Sequence, residues 1–258
     1  MENKLALITG ASGGIGEAFG HVLAAEGYGL VLVARRDQEL HRVKGVISAR
    51  NAVPVHVIIL DLNENGATEA LATELAERNL IPNVVVNNAG FGLIGFSAEL
   101  SREEQLRMID LNVRVLTDLT LRYLPGMIAG KSGGIINVAS VAGFMPGPMM
   151  AVYFATKNYV LSFSDALASE LKGTGVTITT LCPGTVKTAF QARAGQNERS
   201  STKSAFDVAS QGWAGFKIKR RVVIPGMFNQ LVAYGLRVTP RRILLPFVKQ
   251  VIGRRRAT

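Results

Sequence analysis

At 258 residues, with 48% hydrophobic and 19% charged side chains, the chain can bury one large core, and no linker-like stretch, low-complexity tract or fixed-period repeat divides it. The formal net charge of +10 is concentrated at one end: residues 1–212 hold 18 basic against 19 acidic side chains, whereas residues 213–258 hold 11 basic and no acidic ones. Cys182, the single cysteine, excludes an internal disulfide and, lying in an apolar run, reads as a buried thiol in a reducing compartment.

Short apolar runs recur along the chain: KLALIT (4–9), LVLVA (30–34), VHVIIL (55–60), NVVVNN (83–88), GIINVAS (134–140), VTITTLC (176–182) and RVVIP (221–225). They are too short and too β-branched for helices and are expected to be strands buried on both faces. Between them, stretches such as 15–26 and 67–78 place apolar residues near a 3.6 period, and Ser101 with Glu104 forms a capping box ahead of the apolar pattern at 106–124. Strict alternation of strand and helix predicts an α/β fold with a doubly wound, Rossmann-like parallel sheet over residues 1–226, followed by a basic amphipathic extension over 227–258. MENKLALIT reads as a strand rather than a charged segment followed by an apolar one and a cleavage site, so a cytoplasmic chain is expected.

TGASGGIG, Thr9–Gly16, follows the first strand and opens the first helix. A tight turn needs positive φ, a pyrophosphate needs backbone approach without a side chain, and a helix N-terminus offers free N–H groups; Gly10, Gly14 and Gly16 meet these needs. The second strand ends in Ala34, Arg35 and Arg36 where an NAD site would carry an acidic residue, and two guanidinium groups there favour the 2′-phosphate of NADP(H). Asp37 is expected to cap the next helix, and Asp61, closing the third strand, either caps a helix or accepts from an adenine amino group.

Tyr153 and Lys157 stand at i and i+4, on one helical face, with Ser140 upstream at a strand end. An ammonium at about 4 Å supplies the roughly 3 to 4 kcal/mol needed to bring a phenol toward neutrality, so Lys157 is expected to lower the pKa of Tyr153. Alone, the pair reads more readily as a helix-surface contact. A strand-end serine and a dinucleotide turn in the same chain select the chemical reading.

Together these residues resemble the short-chain dehydrogenase/reductase family, in its compact single-domain branch, over about residues 4–226. The glycine turn (Gly10, Ser12, Gly13, Gly14, Ile15, Gly16) is similar to the cofactor loop, NNAG (Asn87, Asn88, Ala89, Gly90) to the motif beside the cofactor, and PGTVKT (Pro183, Gly184, Val186, Thr188) to the segment at the nicotinamide carboxamide; Asp61 and Leu62 lie along the same path. The resemblance implies hydride transfer between NADP(H) and a carbonyl/alcohol pair. It assigns Tyr153 as acid/base, Ser140 as the group orienting the substrate oxygen, Lys157 as modulator of the tyrosine and holder of the nicotinamide ribose, and Asn112 as anchor of a relay water. Phe154 departs from the pattern, where small residues are common. A homo-oligomer paired through helices flanking the site is also implied.

Around this site the chain is apolar. Phe91, Leu93, Phe96, Phe144, Met145, Met149, Met150 and Phe190 read either as core or as a pocket for a hydrophobic carbonyl substrate such as a 3-oxoacyl or steroid-like ketone or an aldehyde, and residues 190–204 resemble a substrate lid. In the tail Leu244, Phe247, Val248, Val251 and Ile252 share one helical face, and Pro246 is expected to kink or restart the helix. That face meets an anionic membrane surface or acidic carrier, or packs on its own domain. Nucleic acid is not expected, because no aromatics interleave with the arginines, and no metal cluster is expected. An NADP(H)-binding sensor without turnover is the competing reading, but it leaves the acid/base set unexplained.

Overall fold

The computed structural model describes residues 4–186 and 203–256. Each apolar run forms a strand: β1 (Leu5–Thr9), β2 (Gly29–Ala34), β3 (Val55–Ile59), β4 (Val84–Asn87), β5 (Gly134–Val138), β6 (Thr177–Leu181) and β7 (Val222–Val223). They pair in parallel in the order β3-β2-β1-β4-β5-β6-β7, with Leu7 opposite Val31 on one side and Val85 on the other. The order reverses between β1 and β4, which puts a crevice at the carboxyl ends of those two strands. The strands are covered on both faces except at the edge, where the middle of β3 is half-buried and Ile59 is exposed.

Alternation along the strands divides the core into two layers. Leu30 and Leu32 face α1 (Gly14–Ala25), α2 (Asp37–Ser48) and the later helix α7 (Ala205–Lys217), packing with Phe19, Leu40, Ile47 and Trp213. Val31 and Val33 face the opposite layer with Leu71, Leu119 and Ile178, covered by α3 (Ala67–Glu77), α5 (Leu116–Ala129) and α6 (Ala151–Glu170). Each fully buried Leu or Ile contributes roughly 1.5–3 kcal/mol, so the layers hold the sheet as one body. A polar ladder crosses it beneath the crevice: Asn87 Nδ2 donates to Asn137 Oδ1 (2.9 Å) and Thr120 Oγ1 (3.0 Å), and Asn137 Nδ2 donates to Ser164 Oγ (2.9 Å).

Two local expectations change. Asp37 does not cap α2: Arg36 occupies the N-cap without a side-chain bond, and Asp37, in the first turn, pairs with His41 at 3.2 Å. The helix opened by Ser101, whose side chain accepts from Glu104 N, is not continuous: α4 (Arg102–Ile109) passes through a π-helical turn, Asp110–Val115, before α5. Such turns insert one extra residue and recur at functional sites; this one carries Asn112.

The extension forms α8 (Met227–Val238) and α9 (Arg241–Arg256). Pro246 lies inside α9 without ending it. Leu244, Val248 and Ile252, spaced four apart, are buried against Phe91, Met108, Met150, Tyr153 and Phe154, so the tail's apolar stripe packs on its own domain. Among the described residues no helix is long and apolar enough to cross a membrane.

Candidate active site

The crevice at the β1/β4 switch opens into a cavity of about 810 Å³. At one end lies the glycine turn. Gly10 and Gly14 adopt positive φ (66° and 57°), and a Cβ on Gly10 would stand 2.9 Å from Asn88 Nδ2. A Cβ on Gly16 would meet Gly10 O at 2.3 Å, so Gly16 serves the packing of the turn rather than lining the cavity, whereas Gly10, Ser12, Gly13, Gly14 and Ile15 line it. Gly13 at the N-cap of α1 makes no side-chain cap bond, leaving the first-turn N–H groups to the cavity side. Thr9 fixes the far wall: its Oγ1 accepts from Asn88 N and Ala89 N, both at 3.0 Å, and Asn88 Nδ2 donates to Thr9 O.

Beyond β2, Arg36 lies across the turn, donating from Nε to Ser12 Oγ (3.2 Å) and from a terminal nitrogen to Ser12 O (3.0 Å). Arg35 instead pairs with Asp61 at 3.4 Å. Asp61 also accepts from Asn63 N and lies 3.7 Å from Arg107, so this carboxylate already has partners, although it and Leu62 line the cavity. These features fit a nicotinamide dinucleotide: a side-chain-free floor, an uncapped helix end for a pyrophosphate and a guanidinium beyond it.

At the other end Ser140, Tyr153 and Lys157 converge. Ser140 leaves β5 in an extended conformation and caps the following 3₁₀ turn (Val141–Phe144), its Oγ accepting from Ala142 N at 3.1 Å. Tyr153 and Lys157 project from the first turns of α6 and are both buried, at 8% and 5% exposure. Burial pushes the Tyr153 phenol up to about 12, with the Ser140 hydrogen bond acting in the opposite direction. Burial also pulls Lys157 down to about 8. Lys157 is expected to lower the tyrosine; in this structure burial dominates and the phenol stands above its ordinary value, while the lysine Nζ donates to Val138 O at 2.9 Å and lies 5.9 Å from the centre of the phenol ring. At neutral pH the site presents a protonated phenol beside a mostly charged ammonium.

Asn112 reaches this cluster from the π-helical turn. Its Nδ2 donates to Phe91 O (2.9 Å) and Thr156 Oγ1 (3.1 Å), and its Oδ1 accepts from Phe91 N (3.1 Å). These amide bonds go to protein and clamp the end of the NNAG segment to the helix. A Cβ on Gly90 would stand 2.8 Å from Asn112 Oδ1, so only glycine fits between them.

The apolar half of the cavity is lined by Phe91, Met145, Met150 and Phe154, with Pro183, Gly184 and Val186 on the far side. Phe154 meets Tyr153 edge to face, and Gly147 makes room for it, since a Cβ there would lie 2.3 Å from Phe154 Cγ. Four of the expected pocket residues are not brought to the cavity: Leu93 packs against the cluster around Phe91, and Phe96 is exposed. Phe144 points from the 3₁₀ turn into a separate cluster with Leu116, Val160 and Leu161, and Met149, at φ 66°, packs toward Gly253 of α9. Thr188, Phe190 and residues 190–202 of the lid stretch lie outside the described residues. Sequence reasoning missed Phe228, Val232, Phe247, Val248, Val251 and Ile252, with which α8 and α9 complete the wall. The i, i+4, i+8 spacing of Leu244, Val248 and Ile252 was the available signal, but it named no partner.

The chain matches the short chain dehydrogenase family over residues 4–199 and belongs to it. It is thus an oxidoreductase of the class that acts on alcohol and carbonyl groups with a nicotinamide dinucleotide. It is 40% identical over 185 residues to a sulfoacetaldehyde reductase of Chromohalobacter salexigens, covering 71% of this chain and 72% of that one. Among solved structures it resembles a short-chain dehydrogenase from Sphingobium yanoikuyae in complex with NADPH (30% identity, TM-score 0.83, 90% and 92% coverage). A Burkholderia phymatum short chain dehydrogenase/reductase in complex with NAD is similarly close (27% identity, TM-score 0.82, 90% and 92% coverage).

Proposed function

We propose that the protein is an NADPH-dependent reductase of an uncharged, hydrophobic ketone or aldehyde, with Tyr153 as proton donor. The observation that carries this reading is the position of the buried Tyr153 phenol beside Ser140, in the cavity whose one end is glycine-lined and whose other end is apolar. NADPH, when bound, supplies the hydride taken up at the carbonyl carbon. Ser140 and Tyr153 hold the carbonyl oxygen, and as negative charge develops there the phenol proton moves onto it, leaving an alcohol and a tyrosinate. Lys157, held by Val138 O, stabilises that tyrosinate with its charge, which the ammonium keeps below about pH 8. Asn112 positions the strand end against which the substrate lies.

Preference for NADPH rests on Arg36, whose hydrogen bonds among the described residues go to the neutral Ser12, so its charge remains for a 2′-phosphate. Arg35, paired with Asp61, is the lesser contributor. The substrate class rests on the charges at the apolar end. Of the described lining cations, Arg35 and Arg36 lie at the glycine-turn end and Lys157 sits at the Tyr153–Ser140 centre, so none lies along the apolar half beyond it. A sulfonate such as that of sulfoacetaldehyde, named for a relative, would be desolvated there without a partner, a loss of several kcal/mol. Homo-oligomerisation, common in the family, is proposed to use the exposed Leu106, Ile109 and Leu121 of the α4–α5 rod.

The test is NADPH oxidation by the full chain with medium-chain ketones and aldehydes and with sulfoacetaldehyde. The apolar substrates should show kcat/KM at least ~100-fold higher, and Tyr153→Phe should lower kcat by about 10²- to 10⁴-fold while NADPH affinity stays within a few-fold. Turnover retained by Tyr153→Phe refutes the proton donor, and a preference for sulfoacetaldehyde refutes the substrate class.

A further inference from the structure

The apolar stripe of α9 is buried, but α8 carries another that is not. Met227, Phe228, Leu231 and Tyr234 are 85%, 76%, 73% and 60% exposed, and they follow one another at helical spacing along a single face. On α9, Ile243 and Phe247 are 65% and 60% exposed. Phe228, Tyr234 and Phe247 alone present roughly 300 to 500 Å² of aromatic surface, as much as the largest patch a soluble monomer ordinarily leaves uncovered. Phe228 and Phe247 also line the catalytic cavity, so the exposed patch is continuous with the apolar wall of the site.

The charge of the segment that carries this patch narrows what can cover it, even with Lys217 paired to Glu26 and Arg221 to Asp165. From Lys217 to the end the chain has 11 basic residues, and no acidic residue follows Asp207. A second copy placed on the patch would oppose two like-charged ends. An aromatic-bearing amphipathic helix within a segment of one positive sign is the arrangement that lies in the interface of an anionic bilayer.

We propose that α8 and the outer side of α9 dock the protein on an anionic lipid surface, with Met227, Phe228, Leu231 and Tyr234 entering the headgroup boundary and the cavity opening onto the membrane. The docking stands on the patch and its charge; that an apolar carbonyl compound dissolved in the lipid enters the site from there rests on the reductase reading above.

The experiment is co-sedimentation of the full chain with phosphatidylcholine vesicles and with vesicles containing phosphatidylglycerol, over a salt series, for wild type and a Leu231→Gln/Tyr234→Gln double variant. These two side chains do not line the cavity. Binding should require phosphatidylglycerol, weaken as salt rises and fall at least tenfold in the double variant, whose turnover of a water-soluble short-chain aldehyde should match wild type. Equal binding by the double variant, or binding indifferent to anionic lipid and salt, overturns the proposal. So does conversion of an oligomer to monomer in the variant by light scattering, which assigns the patch to a second copy, or stable capture only by an acidic protein. Co-sedimentation needs no turnover, so loss of docking and failure of the reductase reading are separately visible.

Discussion

Replacing Lys157 with methionine tests how strongly the site desolvates its cation. The fall of Lys157 from 10.5 to about 8 corresponds to about 3 kcal/mol of unfavourable charging in the folded state, at 1.36 kcal/mol per pH unit. The unfolded chain holds this proton up to about pH 10.5, whereas the folded chain gives it up from about pH 8. Between those values the unfolded state binds more protons, so Lys157 makes stability rise with pH across that window, and below it the full penalty is present. Lys157→Met removes the penalty but strands Val138 O, at roughly 1–3 kcal/mol, so at pH 7 the two effects largely offset each other. The pH-dependent part is the clean readout, because the remaining groups titrate alike in both proteins. Urea unfolding of wild type and variant at pH 7 and 10.5 should show wild-type stability gaining about 3 kcal/mol relative to the variant. A difference constant within ~1 kcal/mol would mean that Lys157 is solvated, and the account of the site as a desolvated pair would fail.

Three further outcomes follow from the dinucleotide end. Arg36→Ala should weaken NADPH binding by about 10- to 100-fold, the loss of a charge-assisted bond, and leave NADH within a few-fold; equal losses in a fluorescence titration would remove Arg36 as the selector. Arg35→Ala, which leaves Asp61 with Asn63 N and Arg107, should have the smaller effect on NADPH in the same titration. Gly16→Ala forces a methyl group against Gly10 O and Asn88 Nδ2, so it should abolish binding of both cofactors and lower the unfolding midpoint; unchanged titration curves would show that the turn has slack the structure does not suggest.

The strands were legible because a sheet covered on both faces needs apolar side chains in both alternating sets, which writes continuous runs such as LALIT and GLVLVA into the sequence. The edge strand β3 carries the same kind of run but is only half covered, since its run does not encode its place in the sheet. The glycine turn, Ser140, Tyr153 and Lys157 were legible because each answers a local geometric demand. The π-helical turn was not: an extra residue shifts the helical phase once and leaves no repeat to read, and the clamp it builds depends on Asn112 meeting Phe91 21 residues away. The facing of Phe144 and Met149 was equally hidden, because one left-handed residue and one 3₁₀ turn decide it.

The direction of the tyrosine's shift was hidden for a deeper reason. A pairwise estimate from the Tyr/Lys spacing contains the charge that lowers the phenol but not the tertiary neighbours that exclude water from it. Those neighbours include Leu244, Val248 and Ile252 of α9, some 90 residues further along the chain, which join Phe91, Met150 and Phe154 around Tyr153. The extension that looked separable from the rest of the fold is thus part of what buries the phenol proposed above as proton donor. In a reductase that is the useful direction, since a phenol held up at about 12 carries its proton throughout the neutral range and releases it only when an oxyanion forms against it. A helix that shields the phenol on its buried side and leaves Phe247 exposed on the other would, on the two proposals above, serve the acid chemistry and the apolar approach to the site in one element.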